Sequence, residues 1–236
     1  GGPQVRIFDL DGHVEGQFFA FEEGDRLGIF VATGDVNWDG VDEILVTSDE
    51  GGTGQVRIFN QRGHLKGAFF PVGRTTSFVR VALGNTDADP EAEIISTVAS
   101  GGDGTVFIHD GTGKYQNSFT VFGGKVDGLG VAAVDVNSDG IEEVVVSGAV
   151  GHVPHVGVYN QSGSLLQTFF ALPVEYRGGV EVAAGDIDGN GIPELYVSPS
   201  QQGGPQVRIF NSQTELIGGF FAFDAQNRYG AVTAIY

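Results

Sequence analysis

The sequence predicts an all-β protein, a β-propeller of about five four-stranded blades that is closed into a ring by both chain ends. Two observations support this prediction. A unit of about 50 residues recurs along the chain, and each unit holds four short apolar runs separated by Gly-rich turns. Repetition at such a period is typical of repeat architectures, and four-stranded units arranged radially are propeller blades. One valine marks each copy, with spacings of 51, 50, 50 and 51: Val5, Val56, Val106, Val156 and Val207.

The first two runs of each unit flank an acidic loop. They hold about six residues, rich in Val, Ile and Ala, which is the length and much of the composition expected of strands. The first runs lie at 29–35, 79–85, 130–136, 180–186 and 231–236. The second runs lie at 43–48, 93–98, 143–148 and 194–199.

The third and fourth runs complete the unit. The third reads QVRIF at 4–8, 55–59 and 206–210, with weaker copies at 105–110 and 155–160. The fourth often carries adjacent aromatic residues such as Phe18 and Phe19. Neighbours in a strand point to opposite faces of the sheet, so we expect both faces to be buried between other sheets. A β-solenoid is the alternative architecture, although its repeats are usually shorter.

The repeats define one domain that spans residues 1–236. The complete units are about 29–78, 79–129, 130–179 and 180–230, and residues 231–236 with 1–28 are expected to form a closing blade. The second run occurs only four times, so the closing blade lacks one strand. A continuation of the chain past Tyr236 or another chain could supply it, which leaves self-association through the incomplete blade open.

The composition excludes several classes of protein. The 236 residues include 12 Lys and Arg against 30 Asp and Glu, for a net charge of -18, whereas a nucleic-acid binder needs cations to neutralise phosphates. There is no cysteine, which removes disulfides and Cys-ligated zinc. No apolar stretch approaches the roughly 18 residues of a membrane span, so membrane insertion is not expected.

Four acidic loops between the first and second runs are the candidate metal sites. Each loop places oxygen-bearing side chains at positions 1, 3 and 5 and a glutamate at position 9. Calcium takes six to eight hard oxygen ligands in flexible geometry, whereas magnesium prefers a strict octahedron and zinc or copper prefers softer ligands. The predicted Ca²⁺ ligands are Asp35, Asn37, Asp39 and Glu43; Asn85, Asp87, Asp89 and Glu93; Asp135, Asn137, Asp139 and Glu143; and Asp186, Asp188, Asn190 and Glu194.

Asp, Asn and Gly are also ordinary turn residues, which is the alternative explanation for any single loop. The same phase in four loops, each followed by glutamate, favours metal binding. The second loop differs because Asn85 replaces the first Asp and Pro90 stands where the others have Gly. Proline cannot adopt the positive φ that glycine permits, so we expect this site to be distorted or empty.

The loops, the apolar strand after each loop and the GGPQVRIF segment resemble FG-GAP (VCBS-type) repeats. This family builds the integrin alpha-subunit propeller and many bacterial surface proteins. The resemblance implies calcium in the loops on one face of a propeller and a secreted or cell-surface setting. The chain departs from the family in blade number, which is commonly seven, and in its degenerate signatures, since Gly148 and Ala149 lack the following Pro.

We therefore expect a non-enzymatic, calcium-binding propeller that serves as a rigid adhesion or protein-interaction module for a protein or glycan ligand. A carbohydrate-binding lectin and a repeat unit of a surface filament are the alternatives. A polysaccharide lyase is disfavoured because the chain holds only three lysines. No G-x-S-x-G nucleophile motif is present either.

Two further sets of residues carry expectations. Arg6, Arg57 and Arg208 recur at one position of the third run, and we interpret them as stems that pack between blades with paired head groups. Trp38 lies at the tip of the first acidic loop. We expect it to pack on its neighbours, and the alternative is an exposed ring that stacks on a sugar or a partner side chain.

Overall fold

The computed structural model describes residues 2–49, 51–75, 77–124, 126, 128–224, 226–227 and 230–231. These residues form 18 strands and no helix, which confirms the all-β prediction. A two-stranded sheet pairs β1 (Gln4–Phe8) with β2 (Val14–Phe19). Four four-stranded sheets follow: β3 (Ile29–Gly34), β4 (Glu43–Ser48), β5 (Val56–Phe59) and β6 (Leu65–Phe69); β7 (Val79–Gly84), β8 (Glu93–Val98), β9 (Thr105–His109) and β10 (Tyr115–Thr120); β11 (Leu129–Val134), β12 (Glu143–Gly148), β13 (His155–Tyr159) and β14 (Leu165–Phe170); β15 (Val180–Gly185), β16 (Glu194–Pro199), β17 (Gln206–Phe210) and β18 (Leu216–Phe221).

Each four-stranded sheet is an antiparallel meander in which consecutive strands pair. The first strands lie side by side in chain order, β3 against β7, β7 against β11 and β11 against β15. Together they line a central cavity of about 910 Å³. The sheets are therefore the blades of a β-propeller.

The prediction of about five four-stranded blades is wrong in its count, because the described residues form four. The N-terminal residues contain only a third and a fourth run, so β1 and β2 make a two-stranded sheet. This sheet packs on the first blade, where Val5 and Phe18 share a core with Ile44 and Phe59. Residues 232–236 of the expected closing strand lie outside the described residues, so closure through that segment stays a prediction.

Burial falls from the inner part of each blade to its rim. All six residues of β4, β12 and β16 are buried. The prediction that both faces of the fourth run are buried is wrong. Phe18 packs inward but Phe19 is 44% exposed, since the fourth strand forms the outer edge of its sheet.

Aromatic pairs join each sheet to the next. A phenylalanine on the last strand of one sheet meets a ring on the third strand of the following blade, with centroids 4.7–5.7 Å apart in four pairs. The pairs are Phe18–Phe59, Phe69–His109, Phe119–Tyr159 and Phe169–Phe210.

Glycines in the turns beneath these rings make the close approach possible. A Cβ atom added at Gly63 would lie 2.6 Å from the Phe18 ring, and Gly113 and Gly163 meet Phe69 and Phe119 in the same way. All three also have positive φ, which side chains rarely adopt.

Arginine adds a polar contact to two of these junctions. The Arg57 Nη1 donates to the Ala20 carbonyl at 2.8 Å, and the Arg208 Nη1 donates to the Ala171 carbonyl at 3.0 Å. The Arg57 guanidinium also lies over the Phe21 ring, 4.5 Å from its centroid. These contacts confirm the predicted role of two of the three arginines. Arg6 does not fit the prediction, because it is exposed.

Buried hydroxyl groups tie the second strand of a blade to the first strand of the next. The Thr97 Oγ1 donates to the Leu129 carbonyl at 3.0 Å, and the Ser147 Oγ donates to the Val180 carbonyl at 2.6 Å. The Ser198 Oγ donates in the same way to the Ala231 carbonyl. Ala231 therefore lies at the position that corresponds to Leu129 and Val180, the first residues of β11 and β15.

The equivalent hydroxyl of the first blade, Thr47 Oγ1, is buried and has no partner among the described residues.

Replacing Thr97 with the isosteric valine should lower the free energy of unfolding by about 1 kcal/mol, because it removes a buried hydrogen bond. Thr47→Val is the matched control and should leave stability unchanged or raise it. Urea unfolding of both variants checks this, and equal losses would contradict it.

Candidate metal centre

Each acidic loop joins the first strand of a blade to the second, so its two ends are fixed by a paired hairpin. The glutamate at position 9 is the first residue of β4, β8, β12 or β16. All four glutamates are buried: Glu43, Glu93, Glu143 and Glu194. The structure thus brings one buried carboxylate to the base of every predicted site.

Backbone amides wrap around the first acid of three loops. In the third loop, the Asp135 Oδ2 accepts from the Gly140 amide at 2.8 Å and its Oδ1 accepts from the Asp139 amide at 3.1 Å. Asp35 and Asp186 accept the same pair of bonds in the first and fourth loops. The glycine at position 6 has positive φ in all three loops, which is the conformation that closes the turn.

The second loop is bonded differently. Pro90 has no N–H to donate to position 1, and Asn85 Oδ1 is buried without a partner among the described residues. Asp87 and Asp89 instead each accept from the backbone amide two residues further on, at 2.8 and 3.0 Å. The loop therefore lacks the amide wrapping that the other three share.

Burial makes the charge costly for three of the four glutamates. Desolvation raises the pKa of Glu93 to about 7, although the Thr86 amide and hydroxyl donate to its Oε2 at 2.8 and 3.1 Å. Desolvation also raises the pKa of Glu43 and of Glu143, and the neighbouring aspartates add to the effect. A bound cation would offset this cost, because it favours the ionised carboxylate.

The donors fit calcium on three grounds. Glu43 is 4% exposed and its Oε2 has no hydrogen-bond partner among the described residues. Three acids of the second loop and three of the fourth bring one oxygen each within 4.8 Å of one another: Asp87, Asp89 and Glu93; Asp186, Asp188 and Glu194. All the side-chain donors at positions 1, 3, 5 and 9 offer oxygen, as a hard cation requires.

The first and third loops differ in one respect. Within the described part of the chain, neither forms a cluster of three acids at this spacing. The asparagine at position 3 donates its Nδ2 to the glutamate Oε1 instead, Asn37 to Glu43 at 2.9 Å and Asn137 to Glu143 at 2.8 Å. In these two loops the Oε1 of the buried glutamate is therefore already hydrogen-bonded to the side-chain amide of the asparagine.

Two groups escaped the sequence analysis. Asp9, Asp11 and His13 come together on the exposed turn after β1, and the alternating spacing of these residues could have indicated it. Burial raises the pKa of Glu142 to about 7, which no sequence pattern indicates. Trp38 was expected to pack on its neighbours, and this is wrong because it is 65% exposed with φ of 53° at the loop tip.

Comparisons with known proteins support the fold. No protein-family model matches the chain, and no curated protein matches it. Among solved structures, BBS1N in complex with ARL6DN, soaked with lead, has a TM-score of 0.57 at 15% identity, over 98% of this chain and 66% of that one. The V. cholerae biofilm matrix protein Bap1 has a TM-score of 0.51 at 21% identity, over 84% of this chain and 29% of that one. The exotype rhamnogalacturonan lyase YesX has a TM-score of 0.51 at 12% identity, over 91% of this chain and 44% of that one.

The chain spans less than two thirds of the length of each of these proteins. The blades and the comparisons together define the class of this protein, a β-propeller in which the described residues form four four-stranded blades. Identities this low show the fold alone, so the FG-GAP resemblance of the loops stays a prediction. None of the described residues forms a helix that is long and apolar enough to cross a membrane.

The difference between the loops yields a prediction. Asp135→Ala should lower the melting temperature in calcium more than Asn85→Ala does, because Asp135 organises its loop through two backbone amides and Asn85 accepts neither equivalent bond. The measurement is thermal unfolding of the two variants in calcium and in chelator. Equal losses in calcium would contradict this ranking.

Proposed function

We propose that this chain is a non-enzymatic, calcium-binding β-propeller of the FG-GAP type, from a secreted or cell-surface protein, and that it serves as a rigid module for adhesion or protein interaction. One observation supports this above the others. In three loops, backbone amides wrap around the first acid, and in the first of these loops the buried Glu43 Oε2 has no hydrogen-bond partner among the described residues. Such a loop is organised for a ligand that the protein does not itself supply.

Calcium would be held by the side chains at positions 1, 3, 5 and 9 of each loop. It would supply positive charge to carboxylates that are buried or crowded, in a chain whose net charge is -18. Extracellular modules bind calcium with dissociation constants of about 10⁻⁴–10⁻³ M. Binding to the folded state alone stabilises the fold by mass action.

One ion pair in the central cavity is not free to act as a catalytic acid or base. The Arg80 Nη2 pairs with the Glu181 Oε1 at 2.6 Å, and the Ser200 Oγ donates to the same oxygen at 2.8 Å, whereas Asp135, Glu142 and Asp186 also line the cavity. The Arg80 guanidinium also lies over the Phe30 and Phe78 rings, 5.1 and 5.5 Å from their centroids. A catalytic acid or base needs a free position toward a substrate, and this pair holds both groups in place.

A carbohydrate-binding lectin is the second candidate, and the exposed ring of Trp38 favours it. An indole ring that projects from a calcium loop can stack on a sugar face. Under this alternative, glycan binding would disappear on addition of chelator and in Trp38→Ala.

Removal of calcium should lower the melting temperature. At a calcium concentration of 100 times the dissociation constant, each site adds about 2.7 kcal/mol. In a domain of this size, 1 kcal/mol shifts the melting temperature by roughly 2–4 °C. Chelation should therefore lower it by roughly 5–10 °C for each occupied site. Differential scanning calorimetry with and without chelator measures the effect.

Glu43→Gln tests whether the buried glutamate causes this effect. The variant is isosteric and can still accept from Asn37, but it removes the charge. It should reduce the increase in melting temperature that calcium produces. The melting temperature in chelator should be unchanged or higher, because the variant no longer buries a negative charge at this position. Glu15→Gln, on the exposed face of β2, is the control and should keep the full gain. An unreduced gain in Glu43→Gln, or no effect of chelator on the unaltered chain, would show that the loops are not structural calcium sites.

A further inference from the structure

We propose that His109 makes the junction between the first and second blades sensitive to acid. The junction is built around a neutral imidazole ring, and uptake of a proton by that ring weakens the contact between the two blades. The proposal does not depend on calcium binding or on any predicted metal ligand.

The position of His109 in the repeat is the first observation. At the four junctions described above, the last residue of the third strand receives a phenylalanine ring from the preceding sheet. This residue is Phe59 in the first blade, Tyr159 in the third and Phe210 in the fourth. The second blade has His109 there, in the same strand register. A group that titrates near neutral pH therefore occupies a place that the other three blades fill with Phe or Tyr.

The His109 ring is buried among aromatic side chains. The Phe69 ring of the first blade lies 5.0 Å from it and the Tyr115 ring of β10 lies 5.9 Å from it, between centroids. Only 3% of His109 is exposed, and its Nδ1 atom is buried with no hydrogen-bond partner among the described residues. A proton added to this nitrogen would create a buried, charged donor without an acceptor, which is costly.

The Phe69 ring is held against His109 from the other side. A Cβ atom added at Gly113, in the turn after β9, would lie 2.5 Å from this phenylalanine, so the turn and the imidazole enclose it between them. Movement of the His109 ring into water breaks this contact between the blades. Protonation therefore weakens the junction, because the charged ring is more stable in water.

The charged groups near the ring do not compensate for its burial. Burial lowers the pKa of His109 by more than the Asp110 charge and the Ile94 backbone raise it. The Asp110 Oδ1 already accepts from the amides of Thr112 and Lys114, at 2.9 and 3.0 Å. The titratable groups on the elements around His109 are Lys66 on β6, Glu93 on β8, Tyr115 on β10, Asp110 and Lys114 in the turn after β9, and Asp35 in the first acidic loop, which that turn approaches.

Acid should destabilise the fold through His109. Histidine ordinarily titrates near pH 6.5, and the folded chain binds this proton less readily than the unfolded chain. Stability from His109 is therefore present above about pH 6.5 and is lost as the pH falls below it. Glu93 and Glu142 act in the opposite direction, because burial raises the pKa of each to about 7. Only a comparison of variants at the same pH isolates the histidine.

His109→Phe removes the titrating group and supplies the residue that the first and fourth blades use. Urea unfolding of this variant and of the unaltered chain is compared at about pH 7.5 and about pH 5.5, in chelator so that calcium does not contribute. The ratio of the two unfolding constants, unaltered chain over variant, should rise several-fold between these pH values, with about tenfold as the limit. His64→Phe, in the exposed turn after β5, is the matched control, and its ratio should change little.

A ratio for His109→Phe that changes no more than the control would overturn the proposal. If circular dichroism shows this variant to be unfolded, His109→Tyr takes its place, since the third blade has tyrosine there. NMR titration of the histidine rings in the unaltered chain is an independent readout, with signals assigned from their loss in the variants. His109 should titrate at a lower pH than His64, and titration at the same or a higher pH would also overturn the proposal.

Discussion

Burial of the inner strands of each blade depends on the neighbouring blades. β4, β12 and β16 carry apolar residues on both faces, and a single layer of sheet cannot cover both faces of its own strands. Neighbouring sheets cover each other through one repeated contact. It combines an aromatic pair, a turn glycine and, at some junctions, a hydrogen bond from an arginine or a hydroxyl group to a backbone carbonyl. In such arrays stability is the sum of the repeats and their nearest-neighbour interfaces. The junctions therefore contribute to the stability of this molecule together with the individual sheets.

The same junctions fix the acidic loops. Each loop starts from a first strand that lines the cavity and ends at a buried glutamate, so one carboxylate of each loop is held away from solvent. Neighbouring loops also touch, since the Ala92 amide donates to the Asp35 carbonyl at 3.3 Å and the Glu142 amide donates to the Asn85 carbonyl at 2.7 Å. The fourth loop has Pro193 at this position and no N–H to donate. The first three loops thus form a connected row that the fourth does not extend in this way.

The sequence was sufficient to predict the local elements. The second strands occupy 43–48, 93–98, 143–148 and 194–199 as predicted, because loop chemistry and apolar runs mark both ends of each. The blade count failed for a physical reason. Counting runs assumes that every run finds a partner, but among the described residues no second strand lies between the sheet of β1 and β2 and the cavity. The side-chain arrangement in the loops was equally out of reach, since whether Asn37 presents its amide nitrogen or its oxygen to Glu43 depends on the folded loop.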